Sequence, residues 1–158
     1  MGNGLLTEVI FTLATGSSVA ILGCMTSAGF SSTESLSGIY ILVVDGDAER
    51  RALVVGILRY CGALVTPADS PAAALTVIEL LKPDLIVVDF SRPDGGGLTF
   101  IRRLRALKPE QGGTIRVIAV GDSDANAELA LGRGFDAYLT TPLESWELCR
   151  RIATLLNG

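Results

Sequence analysis

The run Leu85-Ile86-Val87-Val88, followed at once by Asp89, constrains this chain more than any other stretch. Four branched apolar residues without polar alternation read as a short strand buried on both faces, the pattern of a central parallel strand. The strand ends on a carboxylate. A loop of turn formers then leads into a helix-period segment, Leu98, Phe100, Ile101 and Leu104. In an open parallel α/β sheet, chemistry sits outside the carboxyl ends of the strands. Asp89 stands at that address, where an aspartate acts as a metal ligand, a nucleophile or a cap on the loop that follows.

The same unit recurs along the chain. Tyr40 to Val44 is an apolar strand ending at Asp45-Gly46-Asp47. Ala48 to Cys61 follows with Leu53, Ile57, Leu58 and Cys61 on one helical face, and Gly62 stops it. Ala63 to Thr66 predicts a second strand. Pro71 opens a helix where its missing N–H costs nothing, with Ala74, Leu75, Ile78 and Leu81 as the inward face. Lys82-Pro83 ends that helix before the strand at 84–88. Leu98 to Leu107 predicts the third helix, and Ile115 to Val120 a fourth strand that runs into Gly121-Asp122. Ser123 caps a short helix through Leu131, Ala137 to Leu139 is the fifth strand, and Glu144 to Leu156 the last helix. Strands alternating with helices at short spacing predict a parallel sheet covered on both faces.

Residues 1–38 stand apart from this pattern. No residue from Val9 to Thr33 is charged, and no Lys or Arg precedes Arg50. Leu5, Leu6, Val9, Ile10 and Leu13 form one helical stripe, and Thr26 to Gly38 reads as a Ser/Gly-rich linker. The division expected is therefore an uncharged extension and linker over 1–38 and a domain over 39–158. An uncharged run of this length is a membrane-span candidate, but its Ser, Thr and Gly content and the missing basic flank argue against one. Ile21-Leu22-Gly23-Cys24 has the look of a lipoprotein cleavage box without the charged leader. A cytoplasmic domain is expected, with membrane attachment through residues 5–30 as the lesser alternative.

Charge and composition narrow the function classes. A net charge of −4 leaves no electrostatic footprint for nucleic acid, and Arg102, Arg103 and Arg105 read as a solvated helix face. The absence of histidine excludes a histidine phosphotransfer role, Ser-His-Asp and Cys-His pairs and the usual zinc sites. Cys24, Cys61 and Cys149 show no C-x-x-C spacing and are odd in number, so free thiols of a reducing compartment are expected. Trp146 is expected in the core or rim of the last helix.

The stretch around Asp89 resembles the phosphoacceptor segment of response-regulator receiver domains, with Pro93 and Gly97 at the family's offsets. The resemblance covers about residues 39–158. It implies a flavodoxin-like, doubly wound, five-stranded parallel sheet in the order 2-1-3-4-5, three layers α/β/α. It makes Asp89 the candidate phosphoacceptor and Asp45 with Asp89 the ligands of an incomplete Mg²⁺ site. It also exposes departures. Gly46 stands in place of the second acidic residue, Gly121 in place of a hydroxyl at the end of the fourth strand, Asp122 in place of a small residue, and Thr141 in place of a lysine. Tyr138 matches the aromatic switch and interface position, and the loss of the hydroxyl leaves it without its family partner.

These departures remove a metal ligand, a hydroxyl and a cation, and add a carboxylate. Two unit charges ~4 Å apart repel by ~1 kcal/mol in water and ~4 kcal/mol at an effective dielectric of 20. The expectation is an atypical or pseudo-receiver in phosphorelay signalling. It would act through contact with signalling proteins, a histidine kinase or a downstream effector, or as a homodimer, with Mg²⁺ weak and no enzyme activity beyond weak self-phosphorylation. One alternative is a receiver that accepts a phosphoryl group on Asp89. Another is a flavodoxin-like small-ligand-binding domain, for which Gly95-Gly96-Gly97 is the one glycine-rich loop and neither G-x-G-x-x-G nor a P-loop is present. The chain closes on its last helix, as expected of a single-domain regulator or of a piece of a longer protein.

Overall fold

The computed structural model describes residues 35–91 and 96–157. Five parallel strands, β1 (Tyr40–Val44), β2 (Leu64–Ala68), β3 (Leu85–Asp89), β4 (Arg116–Gly121) and β5 (Ala137–Thr140), form one sheet in the order β2-β1-β3-β4-β5. The helices between and after them are α1 (Ala48–Tyr60), α2 (Pro71–Leu80), α3 (Gly96–Arg105), α4 (Ala127–Gly132) and α5 (Ser145–Asn157). This is the flavodoxin-like order that the family resemblance implies, and the parallel sheet covered on both faces that the alternation of elements predicts.

Apolar runs without alternation build two cores at once, because successive residues of a strand point to opposite faces. Ile41, Val43, Leu85, Val87, Ile118 and Val120 face α1 and α5, which contribute Val54, Leu58, Leu148 and Ile152. Leu42, Val44, Ile86, Val88, Val117 and Ala119 face the other way, toward Ala74 and Ile78 of α2, Phe100 and Leu104 of α3, and Ala130 of α4. Each fully buried aliphatic or aromatic side chain contributes about 1.5–3 kcal/mol, so these two cores are the main apolar stabilisation of the sheet. Side-chain caps set where the helices begin. Asp47 caps α1 by accepting from the Glu49 and Arg50 amides, and Ser70 caps α2 by accepting from the Ala73 amide.

Several local expectations shift. Ile57, Leu58 and Cys61 are buried as expected, but Leu53 is 39% exposed and Val54 and Val55 take its place on the inward face of α1. Leu81 is also exposed, because the chain leaves α2 in an extended conformation at that residue. Strand β2 starts and ends later than expected and contains Pro67, which an edge strand tolerates because its outer amides need no partner.

Leu36 corrects the edge of the expected linker. It is fully buried in the core shared by α1 and α5, and its amide donates to the Cys61 carbonyl at 2.9 Å. Its neighbours belong with the domain. Residues 1–34, with Cys24 and the candidate membrane segment at 5–30, lie outside the described residues. Among the described residues no helix is long and apolar enough to cross a membrane.

The expectation of free thiols is overturned for two of the three cysteines. The C-terminal end of α1 and the middle of α5 lie on the same face of the sheet, and Cys61 and Cys149 are joined there in a buried disulfide, 88 residues apart in sequence. Spacing along the chain gave no hint of this, since the two residues meet only through the fold. Closing a loop of that length restricts the unfolded chain by about 4–5 kcal/mol in the loop-entropy account. Reduction, or Cys149→Ser, is therefore expected to lower the thermal midpoint by about 15 °C. A midpoint indifferent to reductant, measured by circular dichroism, would contradict the bond.

Candidate functional site

Strand register brings the two central carboxylates together. Val44 pairs with Val88, so the next residues, Asp45 and Asp89, meet the carboxyl edge side by side. The Asp45 amide still bonds the Ala68 carbonyl of β2 at 3.0 Å, which holds the chain in line until Gly46. Asp45 is buried, and its Oδ1 accepts from the Asp47 amide at 2.8 Å. Asp47 itself is exposed and serves α1 as its cap. The Arg50 and Glu49 amides that donate to it, with the nearby guanidinium charges, hold its carboxyl below the usual range.

The cap fixes the phase of α1, and that phase returns Arg50 over the carboxyl edge. Its Nε donates to Asp45 Oδ2 at 2.7 Å and its Nη2 to Asp45 Oδ1 at 2.9 Å. The same Nη2 lies 3.1 Å from Asp89 Oδ2, and Nη1 lies 4.0 Å from Asp47 Oδ2. A forked guanidinium on one carboxylate, shared with a second, is among the stronger polar arrangements available to side chains. The hydrogen bond to Asp45, then the charges of Asp89, Asp45 and Asp47, raise the Arg50 pKa further above its ordinary value against the cost of burial. Arg51 adds a bond from Nη1 to the Asp45 carbonyl at 2.7 Å. Sequence reasoning missed Arg50. The signal was its position three residues past a helix cap, which places it above that cap and the strand end behind it.

Asp89 has a second engagement, accepting the Ser91 amide at 3.0 Å, so it also caps the loop that follows. The donor set does not fit a divalent cation as it stands. Mg²⁺ demands near-octahedral oxygen ligation, whereas Asp45 is hydrogen-bonded to Arg50, Asp89 is ion-paired with it through one oxygen, and Gly46 offers no side-chain oxygen. A side chain at 46 would have room, since an added Cβ would meet nothing closer than the Asp69 carbonyl at 3.7 Å. Gly97 has no such freedom. A Cβ there would lie 3.0 Å from the Asp89 carbonyl and 3.1 Å from the Phe90 ring, so α3 can start this close to β3 only on glycine. Pro93 lies outside the described residues.

The far side of the site is closed by Tyr138. A Cβ placed on Gly121 would come within 2.0 Å of the Tyr138 hydroxyl, so the tyrosine occupies the space a side chain at 121 would need. That hydroxyl donates to the Ser123 carbonyl at 2.5 Å, a backbone acceptor that stands apart from the side-chain hydroxyl Gly121 lacks. Burial, with the charges of Asp122 and Asp124, pushes the phenol pKa up. Thr140 Oγ1 donates to Asp124 Oδ1, and the Thr141 amide to the Gly121 carbonyl at 2.8 Å, tying the loop after β4 to β5. Phe90 packs edge-on against Tyr138 and Phe135, with ring centroids 6.3 and 5.3 Å away. Asp122 is exposed and Thr141 half-buried, and no described hydrogen bond joins either side chain to Asp89. Trp146 is half-buried under the Arg150 guanidinium, 4.6 Å from the ring centroid.

A paired carboxylate at the switch edge of a 2-1-3-4-5 sheet is matched by similarity along the chain. Residues 41–153 match the family model described as the response regulator receiver domain. The chain belongs to the receiver family.

Among curated relatives, an uncharacterised 14.6 kDa protein of Leptolyngbya boryana is 36% identical over 121 residues, 75% of this chain and 91% of that protein. The probable transcriptional regulatory protein TcrX of Mycobacterium tuberculosis is 30% identical over 119 residues, and this receiver spans 50% of its length. The receiver domain of the sensor histidine kinase PA1611 from Pseudomonas aeruginosa superposes with a TM-score of 0.68 at 26% identity, over 77% of this chain and all of that one. That receiver carries a magnesium ion in its active-site cleft.

Crowding between Gly121 and Tyr138 makes a sharp prediction. Gly121→Ala should expel the Tyr138 ring from its inward position and cost about 1–3 kcal/mol, as overpacking does. Gly121→Ala combined with Tyr138→Phe, which removes the clashing oxygen, should recover part of that loss. Chemical denaturation of the two variants measures it, and additive losses would show that the two positions do not share the space.

Proposed function

We propose that this receiver signals by protein–protein contact and that Asp89 is at most a poor phosphoacceptor. The observation that carries the reading is the Arg50 guanidinium, hydrogen-bonded to Asp45 and ion-paired with Asp89. Transfer of a phosphoryl group to a carboxylate needs a free nucleophilic oxygen and cations placed around the incoming anion. Arg50 directs its charge at the carboxylates themselves, and Thr141 brings no cation where the family resemblance implies a lysine. Asp122 adds repulsion at the entrance. Mg²⁺ would have to displace Arg50 and would gain no ligand from Gly46, so its binding is weak. Weak self-phosphorylation is then the only chemistry left to the site. The partner is a signalling protein, a histidine kinase or a downstream effector met in the cytoplasm, and a homodimer fits the same surface logic.

One observation favours a second reading, in which Asp89 is phosphorylated. The Asp89 side chain remains 22% exposed, and its contact with Arg50 runs through one oxygen. A strong phosphodonor would have a path to it.

The test is incubation of the full chain with Mg²⁺ and acetyl phosphate, read by intact mass. The wild type is expected to stay unlabelled. Stoichiometric label that disappears in Asp89→Asn would overturn the first reading in favour of the second. Arg50→Ala should lose about 2 kcal/mol of stability, because it leaves a buried and a half-buried carboxylate facing each other without a cation. Millimolar Mg²⁺ should return part of that loss by binding only the folded variant, while leaving the wild-type midpoint unchanged.

A further inference from the structure

The basic face of α3 is not simply solvated. Arg105 is half-buried and fully engaged. Its Nε donates to the Gly134 carbonyl at 3.0 Å, its Nη1 to the Gly113 and Ile115 carbonyls at 2.9 and 2.8 Å, and its Nη2 to Asp136 Oδ2 at 3.0 Å. One guanidinium thus fastens the end of α3 to the approach of β4 and to the turn before β5. The wall it holds opens into a groove of about 480 Å³. Leu98, Ile101 and Ala106 give the groove an apolar lining, and Arg102 and Arg133 contribute from α3 and from the turn after α4.

Those last two arginines differ from Arg105. Both are exposed, and among the described residues neither side chain has a hydrogen bond or an ion pair. The acid nearest in the network, Asp136, is already taken by Arg105, Arg116 and the Val117 amide. Arg103 adds a third exposed charge on the same helix. A chain of net charge −4 therefore carries an un-neutralised basic patch beside an apolar floor. The walls are largely solvent-exposed, whereas small-molecule sites enclose most of their ligand. The patch is also too local for a nucleic-acid track.

We infer that the groove between α3 and the Gly132–Gly134 turn docks an acidic amphipathic segment of a partner protein. Carboxylates of that segment meet Arg102 and Arg133 in the forked geometry arginine favours, and an apolar side chain covers Leu98, Ile101 and Ala106. The inference rests on the reading above only in taking the partner to be a protein. It does not involve Arg50, Asp45 or Asp89.

The experiment uses isotope-labelled full chain and a short helical peptide with leucines on one face at i, i+4 spacing and glutamates beside them. The expected result is saturable amide shifts over Leu98–Ala106 and Gly132–Gly134. Affinity should drop at least tenfold when glutamine replaces the glutamates, and at least tenfold in Arg102→Ala/Arg133→Ala, whose circular dichroism should match wild type. Arg102→Glu/Arg133→Glu should instead prefer the peptide carrying lysines. Asp89→Asn should bind like wild type, so a failure here is separable from a failure of the phosphorylation tests. Absence of shifts in the groove, equal binding by the double alanine variant, or the same shifts from inorganic phosphate or duplex DNA alone would overturn the inference.

Discussion

Burial of β1, β3 and β4 on both faces is the constraint on which everything else in this structure depends. A strand that is apolar on both sides must be central, must be parallel to its neighbours here, and must leave the sheet at a carboxyl edge covered only by loops. Polar groups therefore collect at the strand ends, and the two central carboxylates at this one. The register Val44↔Val88 delivers Asp45 and Asp89 there together, and their mutual repulsion in a half-buried setting has to be answered by a cation. The chain answers it from within, with Arg50.

Arg50 and Tyr138 do parallel things at opposite sides of the same edge. The guanidinium neutralises the carboxylate pair, and the phenol fills the volume left by Gly121. Each is held by a local device, Asp47 capping α1 in one case and the Ser123 carbonyl in the other. Phe90, adjacent to Asp89 in sequence and edge-on to Tyr138, links the two halves through packing. The edge thus has its charges and its space satisfied by the chain itself. Arg105 repeats the theme on another face, where full engagement of one arginine stiffens the surface that carries two unengaged ones.

The approximate extent of every element and the position of both carboxylates were legible in the sequence because they depend on local periodicity and on turn residues. The sheet order and the place of Gly97 came from the family resemblance. Where local signals were weak, boundaries moved. At the middle of α1 Val54 and Val55 are buried in place of Leu53, since a run of three apolar residues leaves the choice among them to packing. Leu36 was absorbed into a linker on composition, yet it fills a gap beside Cys61 that exists only once α1 and α5 are in place.

By itself the sequence determined that this chain forms a doubly wound parallel sheet with two carboxylates at its functional edge, because strand burial and turn chemistry are written in neighbouring residues. Only the tertiary structure decided what those carboxylates touch. The Arg50 contact with Asp89, the Tyr138 hydroxyl against Gly121, the Cys61–Cys149 bond and the fourfold engagement of Arg105 all join residues that meet through the crossing of separate elements. Such meetings depend on helix phase and sheet register to within an ångström or so, and no spacing along the chain encodes that.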